Sequence, residues 1–208
     1  MTRKIRSQLF ISVDGVIDGL EEWHFAYFSD EMGAAVDSSI GHSDTFLLGR
    51  KTYDSFAGAW PDREAEGGED ADFAKRLGDA RKVVVSNQNL EFEWRNSEQL
   101  QGDLVEAVKK LKGEPGEGPI AVSGSISIVR QLLAAGLLDE LHLLVHPVAV
   151  RKGTRLFDDA DARIPLRLAS SRAFENGVLD LLYEPEESAP EGTYDDAKKH
   201  IAPSDEPE

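Results

Sequence analysis

Residues 45–56 read Thr-Phe-Leu-Leu-Gly-Arg-Lys-Thr-Tyr-Asp-Ser-Phe, and this stretch decides the fold. Thr45 to Leu48 is a short apolar run typical of a buried strand, and Gly49 interrupts it. Helical character resumes from Lys51 to Phe56. Strands that alternate with helices in this way predict parallel strands joined by right-handed crossovers.

The same alternation recurs along the chain. Apolar runs rich in β-branched residues end at turn-forming residues, and apolar positions at helical spacing follow them. One helix is predicted to begin at Ser29, a preferred N-cap, with Asp30 and Glu31 in its first turn. The predicted strands are 5–13, 45–48, 82–85 and 120–122, and the predicted helices are 29–40, 51–56, 72–77, 103–111 and 126–133.

Strands dominate the last third of the chain. Leu141 to Val150 is strongly apolar, and runs at 166–174 and 177–183 flank the turn Glu175-Asn176-Gly177, which predicts an antiparallel hairpin. The predicted fold class is therefore α/β, with a mixed central sheet and helices on both faces. Because exposed apolar strand edges are usually covered, pairing through Leu141 to Val150 predicts a homodimer.

The composition limits the class of protein. The 208 residues, 40% hydrophobic and 30% charged, fit one domain, which we assign to 1–184, followed by an acidic tail at 185–208 that we predict to be disordered. The absence of cysteine suits a reducing compartment, and with no signal peptide or membrane span predicted we expect a cytoplasmic protein. The net charge is −16, to which the tail contributes −6 from eight acidic and two basic residues. This charge argues against nucleic acid and membranes as partners.

Three strand ends carry groups suited to binding phosphate. Gly49-Arg50-Lys51-Thr52 combines backbone N–H groups at a helix start with a guanidinium and a hydroxyl. Gly124, between Ser123 and Ser125, lets the main chain approach a ligand closely, and Ser86-Asn87 adds polar groups. Each also has a plainer interpretation, as a turn or as a helix N-cap. Together they predict an anion-binding crevice at the carboxyl edge of the sheet.

The other patterns indicate no metal and no common phosphate loop. The chain contains neither the dinucleotide fingerprint nor a P-loop. His142 and His146 share one face of a strand, but no third ligand accompanies them, so we interpret both as structural. Asp158, Asp159 and Asp161 lack the spacing of a calcium loop and predict a solvated turn.

In this order the motifs resemble the dihydrofolate reductase superfamily, from Lys4 to about Tyr183. The segment 48–53, Leu-Gly-Arg-Lys-Thr-Tyr, is similar to the family's Gly-Arg-x-Thr cofactor segment, 83–87 to its adenosine-side strand end, and 122–125 to its glycine-pair loop. Ser123 departs from that pair. The segments 138–141, 146–148 and 153–157 are similar to stand-alone relatives of the reductase domain of the bacterial bifunctional riboflavin deaminase-reductase.

The resemblance implies a three-layer fold with a mostly parallel sheet and a C-terminal antiparallel hairpin. It also implies an NADPH-dependent reductase acting on a small heterocyclic substrate of the pterin or aminopyrimidine type, as in riboflavin or folate metabolism. The implied cofactor-binding residues are Val13, Gly15, Gly49, Arg50, Lys51, Thr52, Ser86, Asn87, Gly124, Ser125 and Ile126.

On the substrate side, the resemblance places Ser12 near the nicotinamide, and Trp23 is a candidate wall of the pocket, although plain core packing explains it equally well. Asp30 is the first candidate and Asp14 the second for a carboxylate that grips the substrate. A charge at a helix start is the simpler interpretation of Asp30. A second hypothesis keeps the fold and the groove without turnover, as a nucleotide- or pterin-binding regulatory protein.

Overall fold

The computed structural model describes residues 2–157 and 163–201, and within them strands alternate with helices. The strands are β1 (Ile5–Ser12), β2 (Thr45–Gly49), β3 (Arg81–Val85), β4 (Ser97–Gln99), β5 (Ile120–Ser123), β6 (Glu140–His146), β7 (Leu166–Ala173) and β8 (Leu179–Pro185). The helices are α1 (Leu20–Trp23), α2 (Asp30–Val36), α3 (Arg50–Ala57), α4 (Trp60–Glu66), α5 (Ala71–Asp79), α6 (Leu104–Gly113), α7 (Ile126–Ala134) and α8 (Tyr194–Lys198). A 3₁₀ turn at Phe25–Tyr27 and a π-helical turn at Asp37–Gly41 flank α2.

The eight strands form one mixed sheet in the order β4-β3-β2-β5-β1-β6-β8-β7. The strands from β4 to β6 pair in parallel, whereas β8 pairs antiparallel with both β6 and β7. The predicted mixed sheet and C-terminal hairpin are confirmed. The predicted dimer contact through 141–150 is wrong, because β6 lies between β1 and β8 and has no free edge.

Helices cover both faces of the sheet, so the central strands are apolar on both sides. In β2, Leu47 packs into one core with α6 and α7, while its neighbours Phe46 and Leu48 pack into a second core with α3 and α5. A third, smaller core forms where Met32 of α2 meets Leu144 of β6. Burying one such side chain contributes roughly 1.5–3 kcal/mol, which fixes the register of β2 strongly.

Six elements were not predicted from the sequence: α1, the 3₁₀ turn, α4, β4, the π-helical turn and α8. Both α4 and the edge strand β4, whose sequence is Ser-Glu-Gln, lack a clear apolar pattern, and the π-helical turn has no local signal. The short helix α8 begins with a capping box formed by Thr193 and Asp196, and it lies in the tail that we predicted to be disordered. The predicted turn at Asp158, Asp159 and Asp161 lies outside the described residues. No helix among the described residues is long and apolar enough to cross a membrane.

Lys82 is a charged residue in the interior, at 1% exposure. Its ammonium group donates hydrogen bonds to the carbonyls of Leu77 (3.0 Å) and Gly78 (2.7 Å) at the end of α5. The ammonium also lies 4.2 Å from the centre of the Trp94 ring. Burial lowers the pKa of Lys82 to about 8. One side chain thus joins β3, α5 and the segment that carries Trp94.

We expect Lys82→Ala to lower the free energy of unfolding by about 2–4 kcal/mol, because it leaves a cavity, removes the lysine donor of the Leu77 carbonyl, and leaves the Gly78 carbonyl with the longer bond from the Asn96 amide (3.3 Å). Urea denaturation measures this change. Lys75→Ala is the matched control: it removes an exposed lysine paired with Asp79 and should change stability by no more than about 0.5 kcal/mol. Equal effects of the two variants would contradict the structural role of Lys82.

Candidate functional site

The three predicted junctions lie together at the carboxyl ends of the parallel strands β2, β3 and β5. Gly49, the last residue of β2, is in register with Val85 of β3, and Ser86 follows Val85 directly. Gly124 follows β5, the neighbour of β2 on its other side. The parallel pairing of β2 with β5 covers only Thr45 to Phe46 of β2, so Gly49 lies beyond the paired part of the two strands.

The Ser125 side chain joins the two strand ends across this unpaired region. Its Oγ accepts a hydrogen bond from the Gly49 N–H at 2.7 Å and donates one to Thr52 Oγ1 at 3.1 Å. Ser125 is buried, and it does not cap its own helix with its side chain. The Gly49 N–H and the Ser125 hydroxyl are therefore used within the protein. They hold in place the rim of the site, which comprises residues 49–52, 86–87 and 124–126. Contacts with a ligand are left to the first turns of α3 and α7.

Gly124 is required at its position by two independent constraints. Its φ is +72°, in the left-handed region, and an added Cβ would lie 3.1 Å from Thr52 Cγ2 and from Thr52 Oγ1. Gly124 is also exposed, so its bare main chain faces outward beside the start of α7 at Ile126. This cradle suits an oxyanion, which binds well where the backbone comes close.

Of the charged residues on this rim, Arg50 begins α3 and pairs with Asp54 at 2.8 Å, with both side chains partly exposed. Lys51 is exposed and has no ion pair among the described residues. Ser86 Oγ accepts the Gln88 N–H at 3.0 Å, and Asn87 is exposed. Exposed pairs such as Arg50 with Asp54 are weak, so the guanidinium is free to exchange its partner for a phosphate.

The turn after β1 is held by Asp14. Its carboxylate accepts hydrogen bonds from Ser12 Oγ (2.7 Å), the Val150 N–H (3.0 Å) and the Arg151 N–H (2.8 Å). The bond from Ser12 and those from the two backbone N–H groups lower the pKa of Asp14 below its usual value. Asp14 thus anchors the loop that follows β6, and this leaves it poorly suited to gripping a substrate. Ser12 is itself buried, and its Oγ also accepts the Val16 N–H at 2.9 Å.

The two flanks of this turn differ in exposure, because Val13 is exposed and Gly15 is partly buried. Val13 is 65% exposed, although its N–H donates to the Val148 carbonyl. Gly15 has a φ of +86°, which a glycine adopts without strain. Both residues lie at the carboxyl end of β1, where the resemblance places the nicotinamide.

Asp30 and Trp23 occupy different environments. Asp30 is exposed in the first turn of α2 and has no hydrogen-bond or ion-pair partner among residues 2–157 and 163–201. Of the two candidate acids, it is the one whose carboxylate is uncommitted. Trp23 is buried and donates its Nε1–H to the Asp18 carbonyl at 3.0 Å, so its ring is a fixed wall rather than an exposed surface.

Sequence reasoning missed a buried pair of histidines, His24 and His146. His24 Nδ1 lies 3.0 Å from His146 Nε2, and His146 Nδ1 lies 2.9 Å from the Leu144 carbonyl oxygen. The two residues are 122 positions apart, and His24 lies in a turn without periodicity, so no local pattern links them. The aromatic rings around the pair are Phe10, Trp23, Phe25, Tyr27 and Phe28.

Neither histidine of the strand β6 belongs to a metal cluster. His142 Nε2 lies 2.6 Å from Asp180 Oδ1, and His146 is hydrogen-bonded to His24 and to the Leu144 carbonyl. Within the part of the chain that the structure describes, no group of three or more His, Cys, Asp or Glu side chains is arranged to hold a metal ion.

Burial keeps these histidines neutral. It lowers the pKa of His24 to about 4, with the neighbouring His146 as a second cause, and it lowers the pKa of both His146 and His142. An unfolded histidine binds its proton near pH 6.5, so between pH 6.5 and 4 the unfolded chain binds more protons than the folded one. The stability that the neutral histidines provide is therefore complete above pH 6.5 and is lost as the pH falls toward 4.

We expect the free energy of unfolding to fall between pH 6.5 and pH 4.5, and His24→Phe to reduce that fall by on the order of 1–2 kcal/mol after allowance for solvent screening. Denaturant titrations at each pH measure the slope. His42→Phe, which replaces an exposed histidine, is the comparison variant. An unchanged slope in His24→Phe would show that His24 titrates normally in the folded protein.

Comparisons with known proteins agree with this fold. Residues 3–179 match the model of the RibD C-terminal domain. The YyaP protein of Bacillus subtilis (strain 168) is 31% identical over 188 residues, covering 87% of this chain and 94% of YyaP.

Two solved structures share the fold. A protein assigned by its name to riboflavin biosynthesis, from Shewanella sp. PV-4, superposes with a TM-score of 0.66 at 15% identity, over 89% of this chain and 99% of that one. A pyrimidine reductase-like protein from Corynebacterium diphtheriae superposes with a TM-score of 0.61 at 16% identity, over 89% and 93%. These matches confirm the resemblance, and the chain belongs to the RibD C-terminal domain family.

Proposed function

We propose that this protein is an NADPH-dependent reductase that transfers hydride to a small heterocyclic substrate of the pterin or aminopyrimidine type. The observation that carries the proposal is the hydrogen bond from the Gly49 N–H to the Ser125 hydroxyl, which holds the end of β2 beside the exposed Gly124 after β5 and forms a rim suited to phosphates. The family membership and the reductase-like names of structural neighbours support the same reaction class.

The residues of the rim fit a dinucleotide phosphate. The exposed main chain at Gly124 and the N-terminal ends of α3 and α7 would hold the pyrophosphate. Arg50 and Lys51 would neutralise its charge, and Ser86 and Asn87 would border the adenosine side. When bound, NADPH supplies the hydride.

The remaining residues of the site orient the substrate and exclude water. The turn at Val13 to Gly15 lies at the end of β1, between the rim and β6, where it would border the nicotinamide. Asp30 is the acid with a free carboxylate for a substrate N–H group. Asp14 would act indirectly, because its three hydrogen bonds hold the loop after β6 in place.

A second candidate is a binding or regulatory protein that keeps the groove without turnover. The commitment of Asp14 to the loop favours this reading, because it removes one of the two candidate acids. Oxidation of NADPH with a panel of pterins, aminopyrimidines and flavins separates the two functions. Binding without oxidation of any of them would favour the regulatory protein.

We expect NADPH to raise the melting temperature of the wild-type protein, and Arg50→Ala to weaken NADPH binding by roughly tenfold, because one charge-assisted contact to phosphate is lost. Tryptophan fluorescence titration measures the dissociation constant. Arg63→Ala is the matched control, since Arg63 also forms an exposed ion pair on a helix, with Asp70. Unaltered binding in Arg50→Ala would show that Arg50 does not bind the phosphate.

The homodimer remains a prediction, which analytical ultracentrifugation would measure.

A further inference from the structure

A chain of hydrogen bonds fixes the protonation of the histidine pair. A main-chain carbonyl can only accept, so His146 Nδ1 carries the proton that is donated to the Leu144 oxygen. In a neutral imidazole the other nitrogen is then an acceptor, so His146 Nε2 accepts a hydrogen bond from His24 Nδ1. His24 Nδ1 therefore carries its proton, and His24 Nε2 carries a lone pair.

The opposite arrangement is disfavoured by burial. Reversing both tautomers would set the His146 Nδ1 lone pair against the Leu144 carbonyl oxygen, which would leave two buried acceptors facing each other without a proton between them. A doubly protonated pair would place two cations 3.0 Å apart among aromatic rings. No charged side chain among the described residues is hydrogen-bonded or ion-paired to either ring, so nothing nearby offsets that charge.

The free nitrogen belongs to a residue at the functional edge of the sheet. His146 is the last residue of β6 and lies in register with Ser12, the last residue of β1. His24 stacks on Phe10 with ring centres 4.0 Å apart. Its Nε2 has no hydrogen-bond partner within the described part of the chain.

Exposed aromatic rings stand beside this acceptor. Phe25 and Phe28 contact the His24 ring at 5.2 and 5.7 Å between centres, and they are 68% and 53% exposed. Large aromatic rings that stay in solvent next to a polar group of fixed direction are typical of a ligand site. A flat ligand that covers these rings would bring its polar edge to His24.

We propose that His24 Nε2 accepts a hydrogen bond from an N–H or O–H donor of a planar heterocyclic ligand packed on Phe25 and Phe28, and that His146 is the positioning residue that fixes this polarity. This proposal rests on the proposed function. It adds that the substrate presents an N–H or O–H hydrogen-bond donor to His24. A ligand with an acceptor in that position would meet the lone pair of His24 and be rejected.

The polarity can be measured without any ligand. Two-bond ¹H–¹⁵N correlation spectra at pH 7 distinguish the two neutral tautomers of each histidine, with His24→Phe and His146→Phe providing the assignments. We expect both His24 and His146 to carry the proton on Nδ1. A proton on His24 Nε2 would overturn the proposal, whatever the outcome of NADPH binding or turnover.

The acceptor role is tested with two probes of the same shape. We expect 2,4-diaminopyrimidine to bind and to shift the His24 Nε2 resonance, and 2,4-dimethylpyrimidine, which lacks donors, to bind roughly tenfold more weakly. His24→Phe should abolish the preference between the probes, whereas His42→Phe should retain it. Equal binding of both probes to the wild-type protein, binding of neither, or a preference unchanged in His24→Phe would overturn the proposal.

These measurements are made without NADPH, so they separate the proposal from the proposed function. A protein that shows the preference but does not oxidise NADPH would retain the acceptor site and lose the reductase assignment. A protein that oxidises NADPH but shows no preference would retain the reductase assignment and lose the acceptor site.

Discussion

One serine hydroxyl holds together the part of the sheet on which the candidate site is built. The parallel pairing of β2 with β5 stops after Phe46 and Ala121, so the ladder does not fix the distance between the two strand ends. Ser125 Oγ closes this interval by bonding to the Gly49 N–H and to Thr52. The starts of α3 and α7, and the outward main chain of Gly124, keep their relative positions because of this contact.

Local signals explain which elements could be predicted from the sequence. The glycine after the apolar run of β2, the Ser29 cap and the turn around Asn176 act within a few residues, and each is found where it was expected. The edge strand β4 depends on pairing with β3 rather than on its own Ser-Glu-Gln sequence. Its existence is a property of the assembled sheet.

The same distinction separates the parts of the site. The glycine junctions could be found because the strand, the glycine and the helix are contiguous. The occupation of Asp14 by N–H groups about 136 positions away, and the meeting of His24 with His146, depend on the order of the strands. Sequence reasoning therefore located the rim correctly at one sheet edge. It could not tell which carboxylate was already satisfied or which histidines would meet.

The two ends of the site, the rim at β2 and β5 and the turn at 23–28, are built from different parts of the chain: main-chain groups in the first and side chains in the second. The rim at β2 and β5 consists largely of main-chain groups and glycines, held in place by the Ser125 side chain. The aromatic turn at 23–28 consists of side chains on a surface segment between α1 and α2. Replacing its exposed residues Phe25 and Phe28 alters shape and polarity there without touching the ends of β2 and β5. Members of one family can therefore bind different molecules on a common scaffold. This turn is the first segment to vary in a library that aims to change ligand preference.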